Sequence, residues 1–127
     1  MKRTNFIEAM CAEIRDFTGV ADVFPSAFPA MAKSKCIVVS IVGGQPSKDT
    51  VQYCSLQVAT RAEHPQDGYN LAVEIIETLS NMHDVRLVSG EVIVSIKEQH
   101  PFPLYLGEDE NKRHMYSTNF SVVMSRE

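Results

Sequence analysis

Apolar residues recur at Phe6, Met10, Ile14 and Phe17, spacings of four, four and three that put them on one stripe of a helix over residues 5–17. Asn5 followed by Glu8 has the spacing of a capping box, and Gly19 supplies a stop. A second helix is predicted over 65–82. Pro65 suits its first position, and Tyr69, Ala72, Val73, Ile76 and Leu79 make its stripe. Leu71 and Ile75 widen that stripe, so this helix is expected to pack on more than one side.

Strand patterns differ from these in period. Cys-Ile-Val-Val-Ser-Ile-Val at 36–42 is a continuous β-branched run, the mark of a strand covered on both faces. Gly43-Gly44-Gln45-Pro46-Ser47 breaks it, and residues 50–60 read as the returning strand. The connection at 43–49 is long for a tight hairpin and is expected to protrude. In 85–98, Val92, Val94 and Ile96 alternate with Ile93, Ser95 and Lys97, a half-buried strand. In the last strand, 115–124, Tyr116, Thr118, Phe120, Val122 and Met124 share one face.

Two stretches fit no period. Residues 18–35 hold Pro25 and Pro29 among Val23, Phe24, Phe28 and Met31; they are expected to be an irregular segment that either packs on the core or meets a partner. Residues 99–113 carry Pro101 and Pro103 and read as a long loop, of the kind that is usually functional. Pro101, Phe102 and Pro103, with Leu104, Tyr105 and Leu106 behind them, are contact candidates because a stiff loop loses little entropy on docking. The resulting order is α-β-β-α-β-β: an α+β, two-layer domain with two helices packed on a four-stranded mixed or antiparallel sheet, one domain over 1–127.

Composition narrows the function classes. The chain has 127 residues, 44% of them hydrophobic and 22% charged, enough for a core without disulfide or metal staples. Net charge is −4, and the densest basic pairs, Lys2-Arg3 and Lys112-Arg113, are short; a nucleic-acid wrapper needs more. Cys11, Cys36 and Cys54 are too few and too spread for a disulfide framework and read as free thiols in a reducing compartment. The start of the chain lacks the apolar segment of a signal peptide, and no apolar run is long enough to span a bilayer. A soluble protein made in the cytosol is expected.

No motif for chemistry emerges, and no catalytic residue, cofactor or metal ligand is expected. His64, His83, His100 and His114 sit at element edges, none at a zinc-pair spacing, although His100 and His114 flank the long loop. Cys36 and Cys54 are candidate cross-strand neighbours, as a redox pair or as plain core residues. Glu108-Asp109-Glu110 lacks the alternating ligands and glycine of a calcium loop and reads as a solvated tip.

The order of elements, together with particular residues, resembles the tail terminators of long-tailed bacteriophages, which are also labelled minor capsid or neck proteins. The residues that carry it are Leu56-Gln57-Val58-Ala59-Thr60-Arg61, then Asp67-Gly68-Tyr69-Asn70-Leu71-Ala72-Val73-Glu74-Ile75-Ile76. Gln99-His100-Pro101-Phe102-Pro103-Leu104, Gly107-Glu108-Asp109-Glu110 and the closing Tyr116-Ser117-Thr118-Asn119-Phe120-Ser121-Val122 complete it; Tyr105 before Leu106-Gly107 departs from the family pattern. The resemblance implies a virion protein, assembled in the host cytoplasm, whose six copies ring the end of the tail tube. Its partners would be further copies of itself, the major tail tube protein and a head-completion or neck protein, with DNA passing through the lumen and no membrane contact. On that reading Arg61 is expected to pair with Glu108 or Asp109 of a neighbouring copy, the alternative being a partner in its own chain. A head-closure or adaptor ring is the closest competing role. A small-ligand or enzymatic α+β domain is the other, and it would require convergent polar groups in a pocket.

Overall fold

The computed structural model describes residues 5–28 and 34–125. Pro29, Met31 and Lys2-Arg3 lie outside the described residues. Helix α1 spans Phe6–Thr18, and its ends are set by local chemistry: Asn5 Oδ1 accepts from Glu8 N–H at 2.9 Å, and Gly19, at φ 73°, donates its N–H to Arg15 C=O. Only a residue free to enter the left-handed region closes a helix this way without strain. Helix α2 spans Pro65–Leu79 and buries Leu71, Ala72, Ile75, Ile76 and Leu79. Val73 and Tyr69, expected in the stripe, are only half-buried.

The described residues form seven strands beside these helices: β1 Val23–Pro25, β2 Cys36–Lys48, β3 Val51–Ala62, β4 Val85–Arg86, β5 Val92–Glu98, β6 Leu104–Glu108 and β7 His114–Ser125. They form one curled mixed sheet in the order β1-β2-β3-β7-β5-β4, with β6 also on β7. The expectation of a four-stranded, two-layer α+β domain is therefore corrected to a mostly β, half-barrel-like sheet that carries two helices. β1 and β6 escaped the sequence because they are short edge strands, held by pairing with a neighbour rather than by a period of their own, and the strand expected over 85–98 divides into β4 and β5. β1 runs parallel to β2, pairing Val23 with Ile37 and Pro25 with Val39, inside the stretch expected to be irregular.

The long strand β7 is the spine. One side of it is paired along its whole length by β3, from Ala62↔His114 to Val51↔Ser125. The other side is shared end to end: β6 covers His114–Ser117, and β5 covers Phe120–Ser125. The break between β5 and β6 is where Pro101 and Pro103 fall, since proline cannot donate to a ladder. Ile93, Ile96, Leu56, Val58, Phe120, Val122 and Met124 meet Ile14, Leu71, Ile75 and Leu79 in one apolar core. A bulge between Ile93 and Ser95 shifts the phase of β5, so Ile93 and Ile96 are buried while Val94 is exposed. Simple alternation from Val92 predicted the opposite for Ile93 and Val94.

β2 is buried on both faces only over Cys36–Val39. Beyond, the strand continues through Gly43 and Gly44 to Lys48 with register shifts after Ile41 and Gln45, so the expected connection at 43–49 is mostly strand. The outer half of the β2–β3 hairpin, here called the arm, leaves Ile41, Val42 and Tyr53 exposed, while β3 stays paired with β7 as far as Val51↔Ser125. Two buried hydroxyls on the helix side are satisfied: Thr60 Oγ1 donates to Gly68 C=O at 3.0 Å and Thr118 Oγ1 to Val58 C=O at 2.9 Å. Among the described residues no helix is long and apolar enough to cross a membrane.

Candidate assembly surfaces

Arg61 lies on the sheet face away from the helices, opposite Cys36 on β2 and Met115 on β7. It is only 4% exposed. Its guanidinium stacks 4.6 Å above the Phe28 ring, and its Nη1 stands 3.8 Å from Asp109 Oδ2. Planar, weakly hydrated arginine suits this half-apolar slot better than lysine would.

Asp109 opens the β6–β7 turn, and the turn is built around its carboxylate. Oδ1 accepts the backbone N–H groups of Asn111 and Arg113, each at 2.9 Å, and Oδ2 accepts from Arg113 Nε at 2.7 Å. Partial burial pushes this carboxyl up, but the donors from Arg113 and Asn111 outweigh it and hold the group below the usual aspartate range. Asp109 thus ties Arg61 on β3 to Arg113 at the foot of β7. Arg61 and Asp109 come together within one chain, which is the alternative to the pairing expected across copies.

Glu108 is exposed, with Oε1 3.9 Å from His114 Nε2. On the other side of that ring, His114 Nδ1 and the Tyr105 phenol share a hydrogen bond of 2.9 Å. His100 is exposed in the proline break between β5 and β6, whereas His114 begins β7. Cys36 and Cys54 are not cross-strand neighbours: Cys36 faces Arg61 and Cys54 faces Gly44, toward opposite ends of the hairpin. All three thiols are free, and burial pushes each one up, Cys54 to about 11, away from reactive thiolate chemistry.

Pro101 and Phe102 are exposed and Pro103 half-buried, immediately before β6. Behind them Leu104, Tyr105 and Leu106 are 42%, 53% and 51% exposed. A bulge after Tyr105, with Gly107 at φ 104°, leaves Leu106 exposed, whereas the Tyr105 ring lies against Tyr116 and His114 of β7 with its outer side exposed. The result, here called the ridge, is a run of exposed apolar residues from Phe102 to Leu106, on a sheet edge that has no partner strand among the described residues and that a monomer would ordinarily keep covered or charged. A second apolar surface lies on the β2–β3 arm at Ile41, Val42 and Tyr53. The sequence pointed to the ridge through its prolines. Phe28, Arg113 and the arm residues went unmarked, although the Asp109-x-x-x-Arg113 spacing within a turn was a readable signal.

This arrangement of a curled sheet with two helices also occurs in a solved structure titled virion of native gene transfer agent particle. It superimposes with a TM-score of 0.55 at 10% identity, covering 90% of this chain and 85% of that one. No curated protein matches the chain by sequence. Residues 16–126 match the family described as bacteriophage tail terminator protein. The chain therefore belongs to the bacteriophage tail terminator family and is a structural protein of the virion tail.

Proposed function

We propose that copies of this chain close into a ring, hexameric by the family resemblance, that ends tail-tube growth and joins the tail to the neck of the head. The observation that carries this reading is the pair of unlike apolar surfaces. The Phe102–Leu106 ridge lies beside the His114 end of β7, whereas Ile41, Val42 and Tyr53 lie on the other side of the spine, level with its Phe120–Val123 half. Two different patches on opposite flanks suit a head-to-tail contact, which closes into a ring when the rotation closes. A twofold dimer would use one self-complementary patch instead.

The role is structural, without cofactor or catalysis. Assembly takes place in the host cytoplasm, and the ring's partners are the major tail tube protein on one side and a head-completion protein on the other. DNA crosses the lumen without sequence-specific contact, in keeping with a net charge of −4.

The test is to mix the purified chain with preformed tail tubes and with tube subunits, then image by negative stain. Ring-capped tubes that no longer lengthen are expected. Tubes that keep growing at the same rate, with no density added at their ends, would overturn the reading. Capping of a head-derived portal complex but not of tubes would move the role to head closure.

A further inference from the structure

We infer that neighbouring copies join edge to edge, the outer edge of β6 in one copy pairing antiparallel with the distal outer edge of β2 in the next. The sheet would then run continuously around the ring. This rests on the ring reading and specifies its interface.

The two edges are among the stretches that the topology leaves without a strand partner among the described residues. β1 occupies the outer edge of β2 only at Ile37–Val39. Among the described residues no strand pairs with that edge from Ser40 onward. On the opposite flank, among the described residues β6 pairs β7 alone and leaves its other edge open over Leu104–Glu108. The usable part of β2 ends near Gln45, because Pro46 has no N–H to donate. Six residues therefore face five, and both stretches carry exposed aliphatic side chains, Ile41 and Val42 against Leu104 and Leu106. An unpaired edge of this kind is a template for another strand.

Polarity follows from symmetry. β2 and β7 both run antiparallel to β3, and β6 runs antiparallel to β7, so β2 and β6 are antiparallel within one copy. A rotation about a ring axis preserves each strand's direction relative to that axis. The β2–β6 ladder between copies is therefore antiparallel as well.

Register supplies an independent check. Tyr105 is level with Tyr116, Thr60 and Ile37 across the sheet, but β1 already occupies the edge at Ile37. The incoming β6 must shift to the neighbourhood of Gly44, which is level with Cys54 and Val122. Measured on β7 from Tyr116 to Val122, that is a displacement of six residues, roughly 20 Å at the rise of a strand. The four strands β6, β7, β3 and β2 span about 19 Å at ordinary strand spacing. A closed ring permits no climb along its axis, so the offset appears as strand tilt, here about 45°. Closed barrels tilt their strands by ~35–45°. The position that β1 leaves open is thus the one that a closed sheet requires.

The experiment places cysteine pairs across the two edges in a Cys54→Ser background. Gly43→Cys with Leu106→Cys, and Gln45→Cys with Leu104→Cys, are compared with Gly43→Cys plus Asp16→Cys on α1. Each variant is oxidised mildly, alone and mixed with tail tubes, then run on denaturing gels and imaged. The expected result is a ladder of covalent oligomers ending at the ring size for an edge pair, at least tenfold more intense than for the control. Rings in the images without an edge-specific ladder would overturn the edge pairing and leave the ring reading standing. Absence of rings under both conditions would overturn both.

Discussion

Arg61 and Asp109 stand 3.8 Å apart, one on β3 and the other on the β6–β7 turn, and they fasten the exposed β6 edge to the buried body of the sheet. Arg113 completes the clamp from the other side at 2.7 Å. The ridge at Phe102–Leu106 is thereby held in place by charges that are not themselves at the contact surface.

Arg61 is therefore expected to act on stability before it acts on assembly. Arg61→Glu places a carboxylate beside Asp109 and against Phe28, and removing one partner of a buried pair costs about 3–5 kcal/mol. Thermal unfolding of the monomer should shift down by more than about 10 °C. Arg61→Lys should retain part of the charge pairing, lose the planar stack and fall between the two. An Arg61→Glu monomer that melts like the parent but fails to assemble would place Arg61 at the subunit contact after all.

Asp109 makes the turn sensitive to acid. Its folded carboxyl lies below the unfolded value near ~3.9, so its contribution is fully present above that value and disappears as pH falls through the folded one. Stability measured by denaturant titration should be flat in this contribution above about pH 5 and decline below about pH 4. In Asp109→Asn the decline should be shallower. An identical acid limb in parent and variant would remove Asp109 from the account.

The ridge should show the reverse separation. Phe102→Ser and Leu106→Ser change side chains that are 67% and 51% exposed, so monomer stability should move by less than about 0.5 kcal/mol. Ring formation on tubes should fall by at least tenfold. Equal assembly by the double variant would leave the ridge without a part in the interface.

The adjacent glycines of the arm should respond unequally. A Cβ at Gly44 would meet the Tyr53 carbonyl oxygen at 2.8 Å, whereas one at Gly43 would rest 3.9 Å from Ser55. Gly44→Ala should loosen the arm and speed amide exchange over 42–53, and Gly43→Ala should leave it unchanged. Matching exchange in the two variants would contradict the close approach at Gly44.

The amino-acid pattern by itself determined those parts whose signals are local. The Asn5 cap, the Gly19 stop, Pro65 at a helix start and the alternation of Thr118, Phe120, Val122 and Met124 each depend on neighbours within a few residues. The residue types carrying the family resemblance were equally local, and the match over residues 16–126 agrees with them. Tertiary structure decided the rest. β1 and β6 are strands because a longer strand lies beside them, and no period within three or five residues could announce that. The phase of β5 depended on a bulge, and the charge of Arg61 was tolerable inside only because Phe28 and Asp109, distant in sequence, arrive at the same place. The free edges, which determine how copies can meet, are a property of which strands end up without a neighbour, and that is fixed only once all pairings are made.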